Sequence, residues 1–340
     1  MNRRLPTHSV IIMAIALACA LGTARAAMAE RFYEGKTIRF IVPYGPGGGF
    51  DVQARLMARY LPRYIAGKPT IIVQNMPGGG GSIGPNYVFN VSKPDGLTIG
   101  MIHGNQSIGQ MTKLPGRKFK MENFSWIGGT DFGPIVLAVK KESPNKTIDD
   151  LRKAKNPLFF AAASRANNQS DYPVVLREYG GLNFKVVLGY RGSASGVAAI
   201  QRGEADGMAG SLPALLRYTN DLRIIIGNAR ARQVIPDLIV DDKIVTSAEG
   251  RSLINALKVS QPIGRGIMAP PGVPQERLDI LRGAWNELRR NTKFLRELEK
   301  ATFIKPEDLK SAQEVNDTLA KVRAIPQETW KVLRVKIQMQ

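Results

Sequence analysis

Short apolar runs alternate with stretches of helical spacing along most of this chain. The runs at 37–42, 70–74, 98–102, 135–139, 158–162, 185–188, 207–209, 222–226 and 266–269 are the right length for buried strands. Between them, 51–61 places Val52, Leu56, Tyr60 and Leu61 on one helical face. Thr147-Ile-Asp-Asp150 is a capped helix start, and the helix at 194–202 stops at Gly203. Such alternation with short connections predicts mixed, mostly parallel α/β sheets. From Pro274 the period changes. Leu278, Leu281, Trp285 and Leu288 form one helical stripe, followed by helical segments at 294–298 and 309–319. A helical tail after so many strands is expected to cover a sheet made earlier. The chain should therefore leave a first domain near Asp131 and return near Pro262. That gives domain 1 as 30–131 plus 262–340 and domain 2 as 132–261.

The first residues have a different pattern. Arg3 and Arg4 precede an apolar run at 10–21, too short to span a bilayer easily, and Ala27-Met-Ala29 follows. This is the layout of a secretory signal peptide, 1–29, cut after Ala29. Cys19 is the single cysteine and lies inside it, so neither disulfides nor thiol chemistry are expected in the exported chain. Losing Arg3, Arg4 and Arg25 lowers the formal charge from +20 to +17. The remaining basic residues are scattered over helix faces instead of clustered, which argues against a nucleic-acid partner and for a general attraction of anions.

Two glycine-rich turns concentrate the chemistry. Tyr44-Gly-Pro-Gly-Gly-Gly-Phe-Asp51 and Met76-Pro-Gly-Gly-Gly-Gly-Ser-Ile-Gly84 each join a predicted strand to a predicted helix. Glycine lets backbone N–H groups converge, and a helix amino terminus adds partial positive charge, so the pair suggests a small-anion pocket built largely from main chain. Positive φ is expected at Gly48. Gly79-x-Gly81-x-x-Gly84 matches a dinucleotide fingerprint, but no acid stands at the end of a following strand to hold a ribose. Neither turn ends in Gly-Lys-Ser/Thr, so no nucleotide cofactor is expected. With His8 in the leader, His103 is the one histidine left for chemistry, and no Gly-x-Ser-x-Gly elbow is present. A metal site is not expected, and an enzyme would have to centre on His103, which follows a strand in His103-Gly-Asn-Gln-Ser107.

The succession Val42-Pro-Tyr-Gly-Pro-Gly-Gly-Gly-Phe-Asp51, Gln74-Asn-Met-Pro-Gly-Gly-Gly-Gly-Ser-Ile-Gly84 and Pro94-Asp-Gly-Leu-Thr98 resembles the Bug (TctC-like) family. So do Gly189-Tyr-Arg-Gly-Ser-Ala-Ser195, Gly203-Glu-Ala-Asp206 and Met268-Ala-Pro-Pro-Gly-Val-Pro274. These are periplasmic solute receptors of tripartite tricarboxylate transporters. The resemblance implies a two-domain periplasmic-binding-protein fold of Venus-flytrap, type II-like form, with the helical C-terminal part packed on the first domain. It implies a non-catalytic, monomeric receptor for a di- or tricarboxylate or an aromatic acid, partnered by the transporter's membrane components. Carried over by motif, the ligand would meet Tyr44, Gly45, Gly47, Gly48 and Gly49, with Asp51 capping the helix behind. Gly80 and Ser82 would brace the cleft, and His103, Asn105 and Ser107 would add polar contacts. From domain 2 would come Ser164, Arg165, Asn167, Tyr190, Arg191, Gly192 and Ser193, while Asp206 shapes a strand edge or the cleft wall.

Two departures from the family pattern bear on the ligand. The turn Ala163-Ser-Arg-Ala-Asn-Asn-Gln-Ser-Asp171 is less rich in small residues than in the family, and Arg165 has the reach to clamp a second carboxylate. His103 replaces a small residue. Besides transport, the sequence leaves open a solute sensor for a two-component system or a secreted α/β enzyme using His103.

Overall fold

The computed structural model describes residues 32–165 and 167–338, so the signal peptide with its cleavage point lies outside the described residues. The chain forms two six-stranded sheets. The first contains β1 (Thr37–Val42), β2 (Thr70–Asn75), β3 (Thr98–His103), β4 (Ser125–Thr130), β11 (Arg265–Ala269) and β12 (Leu309–Ser311). Its spatial order is β12-β4-β11-β3-β1-β2. The second contains β5 (Ile135–Lys140), β6 (Leu158–Ala161), β7 (Phe184–Val187), β8 (Gly207–Ser211), β9 (Leu222–Gly227) and β10 (Ile239–Val240), in the order β10-β9-β5-β8-β6-β7.

Both sheets are mixed, antiparallel where the chain arrives from the other sheet and where the short β12 joins β4. β1 pairs in parallel with β2 and β3, and β6 with β7 and β8. The arriving strands, β5 and β11, run against both of their neighbours. The chain passes between the sheets after β4 and returns before β11. Phe132 N–H donates to the Gln261 carbonyl across these two passages (3.0 Å), and Thr130 bridges Gly264.

Helices Gln275–Leu288, Thr292–Thr302 and Ala312–Ala324 cover the first sheet, as the helical tail predicted. Trp285 is wholly buried with Phe40, Ile127 and Ile267, and Val315 packs near Trp126. The final helix, Gln327–Gln338, goes elsewhere. Its Trp330, Leu333 and Ile337 join the core of the second sheet with Tyr172, Leu253 and Leu257. The chain end therefore straps one lobe to the other, a third link beyond the two crossings.

Candidate functional site

The carboxyl ends of the parallel strands face one another across the gap between the lobes and enclose a cavity of about 290 Å³. From the first lobe come Tyr44, Gly45, Pro46, Gly48, Gly49, Phe50, His103 and Arg265; from the second, Ala163, Asn167, Gln169, Arg191, Gly192, Ser193, Arg217 and Tyr218. Phe132, at the crossing, closes one wall.

Two helices aim their amino termini here. Gly49–Tyr60 follows Gly48, and Ser193–Gln201 follows Gly192, and neither has a side chain capping its first turn. Their leading N–H groups are thus left for a ligand or water. Asp51 does not cap its helix. It accepts from Gly47 N–H at 2.9 Å, and from Arg55 and Asn75, and so holds the loop in shape. Burial pushes its carboxyl up, but these bonds outweigh that and hold it below the usual range. The positive φ lies at Gly47 (78°), whereas Gly48 is extended at −77° and 166°. The expectation for Gly48 was therefore displaced by one residue, because the turn reverses before the chain straightens into the helix.

Arg265 is the feature that the sequence reading missed. It opens β11 directly opposite His103, so both side chains rise from the same face of the sheet. It is 5% exposed, its Nη1 donates to Gln53 Oε1 at 3.1 Å, and its Nε has no partner. Phe50 and Phe132 flank the guanidinium, with ring centres 5.4 and 5.9 Å from Cζ. Burial and the like charge of Arg217 across the cleft lower its pKa to about 10, leaving it charged at neutral pH. Among the described residues, none that is acidic lines the cavity. The sequence offered one signal, a cation at the head of an otherwise apolar strand.

His103 is buried between Phe50 and Phe132, at ring distances of 5.7 and 4.5 Å, and its Nδ1 accepts from Asn105 N–H at 3.1 Å. Burial, with Arg265 nearby, drops its pKa to about 3, so the ring is neutral at physiological pH and forms part of an aromatic wall. This has a consequence for stability. The unfolded chain takes up a proton near the ordinary value of 6.5 while the folded chain does not, so stability is full above that value and falls as the pH drops towards 3. From about pH 8 to about pH 5 this one group should cost roughly 2 kcal/mol. His103→Asn keeps an acceptor for Asn105 and removes the titration. Urea unfolding at the two pH values should show that loss in the parent and a smaller loss in the variant; equal losses would place the titration elsewhere.

The remaining sequence candidates separate into groups. Tyr44, Gly45, Gly48, Gly49, His103, Asn167, Arg191, Gly192 and Ser193 line the cavity together. Asn167 Oδ1 accepts from Gln169 N–H at the start of helix Asn168–Gly180, and Gln169 reaches Ser193 Oγ at 3.3 Å. Gly80, Asn105 and Ser164 sit at a seam between the lobes. Asn105 bonds Asn168 and accepts from Ser260, and a Cβ on Gly80 would run into Ser164. Ser82 and Ser107 bond carbonyls of their own turns, Gly79 and Gly104.

Besides these seam and turn residues and the loop residues Gly47 and Asp51, which bond each other behind the lining, three further candidates also lie outside it. Arg165 donates from Nε to the Ile337 carbonyl at 3.2 Å, which orients that side chain to the terminal helix. Tyr190 packs with the apolar cluster beneath its loop, its N–H on the Ala162 carbonyl. Asp206 accepts from Phe159 N–H at 2.7 Å at the amino end of β8, the end opposite the cavity, so it shapes a strand edge only.

Residues 54–329 match the family described as "Tripartite tricarboxylate transporter family receptor". A UPF0065 protein from the tcbD-tcbE intergenic region of Pseudomonas sp. (strain P51) is 26% identical over 341 residues, covering 97% of this chain and 94% of the relative. Protein BugT of Bordetella pertussis is 27% identical over 212 residues, 60% and 61% of the two chains. Among solved structures, MatC of Rhodopseudomonas palustris with bound malate superposes with a TM-score of 0.70 at 18% identity, covering 88% of this chain and 99% of that one. R. palustris Rpa4515 with adipate gives 0.71 at 17% identity, covering 89% and 97%. Both share the two-lobed fold.

Proposed function

Since this chain belongs to the family of tripartite tricarboxylate transporter receptors, we propose that it captures a small carboxylated organic acid in the periplasm and hands it to the membrane components of such a transporter. The observation that carries this reading is Arg265, a buried cation whose Nε has no partner, and whose cavity has no acidic lining, among the described residues. Burying an uncompensated charge is costly unless a counter-charge arrives, and a carboxylate supplies one. The open helix termini at Gly49 and Ser193 add N–H donors on both sides, and Phe50, Phe132 and His103 offer an apolar surface for the body of the acid. Malate and adipate, held by two proteins of this fold, belong to the same chemical class.

Binding a ligand between lobes that each supply donors favours their approach. The leader 1–29 supports export, and the exported protein should begin at Glu30 by mass spectrometry. A thermal-shift screen across organic acids tests the reading. An acid at a hundred times its Kd should stabilise the protein by about 2.7 kcal/mol, a rise of several degrees in Tm. If sugars or amines shift the melt and no carboxylate does, the proposal fails.

A further inference from the structure

The apolar run of β2 predicts a buried strand, yet the structure leaves it open. Thr70-Ile-Ile-Val-Gln-Asn75 contains no buried residue, whereas β3 is buried at every position, and Ile72 is 53% exposed. β2 ends its sheet and, among the described residues, pairs only with β1. Thr70 and Met76 donate their N–H groups to the Lys36 and Val42 carbonyls at 3.0 and 2.8 Å. Backbone direction alternates along a parallel ladder, so Ile71 and Val73 turn their N–H and C=O groups outward. The usual protections of an edge are missing, since no charge, proline or bulge interrupts this strand. A groove of about 710 Å³ runs beside it, with Ile71 and Val73 on the sheet side and Leu56 from helix Gly49–Tyr60 opposite. Arg55, Arg59 and Lys300 stand exposed in its lining against one acid, Glu297. Arg55 and Arg59 pair with Asp51 and Glu297, yet both remain more than half exposed to an incoming group. None of these residues lines the ligand cavity.

We propose that this edge and its groove dock an extended, acidic segment of a partner protein, which joins the six-stranded sheet as a further strand. The outward backbone groups of Ile71 and Val73 supply the ladder, and the groove receives apolar side chains from one face of the segment. The cations on the rim set the sign of the partner. A second copy of this chain, paired edge to edge about a two-fold axis, would set Arg55, Arg59 and Lys300 against their own counterparts. An acidic segment meets the same three groups with opposite charge, and its selection therefore includes a penalty on basic competitors. The edge lies on the outside of the first lobe, apart from the ligand cavity, so cargo and partner can be held together. This goes beyond the receptor reading and stands or falls separately from it.

Fluorescence anisotropy on the whole exported protein decides this. The probe is a labelled peptide, Glu-Val-Glu-Val-Glu-Val-Glu, and its counterpart is Lys-Val-Lys-Val-Lys-Val-Lys. The glutamate peptide should bind at least about tenfold tighter than the lysine peptide, and raising salt from about 0.05 to about 0.5 M should weaken it severalfold. Val73→Pro removes an outward N–H and spares the bonds to β1, so affinity should fall at least about tenfold. If that variant melts early, Arg59→Gln combined with Lys300→Gln decides instead. It should cost the glutamate peptide about tenfold and improve the lysine peptide. Both positions are exposed and off the ligand cavity, so the response to organic acids in the thermal-shift screen should stay as it was. No binding of the glutamate peptide, equal binding of the two peptides, or folded variants with unchanged affinity would overturn the docking edge and leave the receptor reading standing. Concentration-dependent dimers that Val73→Pro dissolves would give the edge to a second copy, and so overturn the acidic partner.

Discussion

Gly49→Ala should lower ligand affinity by about a hundredfold while the protein still folds. The new Cβ would sit 2.7 Å from Arg265 Nη2 and 3.3 Å from Cζ, well inside contact distance. Nη2 is the far end of a flexible side chain, so the guanidinium can yield. It cannot yield far without leaving Gln53 or the gap between Phe50 and Phe132. The backbone meets no obstacle, since Gly49 opens a helix and alanine suits that position. The cost therefore falls on the anion site, whose donors have to coincide with the ligand's carboxylate. Gly48→Ala is the matched control. Its Cβ would touch only the Gly45 carbonyl at an ordinary 3.7 Å, and its backbone is extended. Affinity should change little there. Combining Gly49→Ala with Arg265→Gln should add almost nothing to the arginine change alone, because both act through one group. Fully additive losses, or equal losses at positions 48 and 49, would refute an action through Arg265.

Most strands were legible because their signal is local. Apolar runs bounded by turns marked β1, β2, β3 and β5 to within a residue, and the helix after β1 began two residues before its expected start. β4 escaped because Ser125-Trp-Ile-Gly-Gly-Thr130 carries two glycines where strands seldom have any. The reason for one of them is tertiary: Trp285 lies across Gly128, and a Cβ there would be 2.0 Å from the indole Nε1. β12 escaped because Leu309-Lys-Ser311 is shorter than any period, and Ser311 then caps the helix that follows it with Glu314. In the site, the main-chain half was readable because glycine declares its own backbone use. The charged half was not. Arg165 looked like the clamp because it sits in a predicted turn, while Arg265 looked like the flank of a strand. Which arginine faces the cavity depends on the antiparallel register that puts Arg265 opposite His103 and on a terminal helix that presents Ile337 to Arg165. Both are set by chain segments far away in sequence.

Gly264→Ala is expected to damage the hinge more than any other single methyl added to this protein's crossings. Gly264 has φ +49°, and a Cβ there would stand 2.0 Å from the Thr130 carbonyl oxygen, 2.4 Å from Phe132 N and 2.8 Å from Asp131 C. All three are backbone atoms of the outgoing passage, so no side chain can rotate away. The two passages are also tied here by the Thr130–Gly264 bridge, the Phe132 to Gln261 bond and the Gly104 N–H on the Gly264 carbonyl at 2.8 Å. Relief requires prising the passages apart and breaking some of these bonds. Overpacking and lost buried bonds together should cost about 3–5 kcal/mol, a fall of about 10 °C in Tm for lobes of this size. Gly189→Ala provides the comparison. Its φ is +111°, yet nothing lies within 4 Å of its Cβ, so it bears backbone strain without a clash. A larger fall at 264 than at 189 would assign the excess to the close approach of the passages. Equal falls would mean that dihedral strain accounts for both, and that the hinge tolerates a side chain between its two strands. If the excess is real, Gly264→Ala should also blunt any ligand-induced compaction measured by small-angle scattering, as expected of a hinge at these passages.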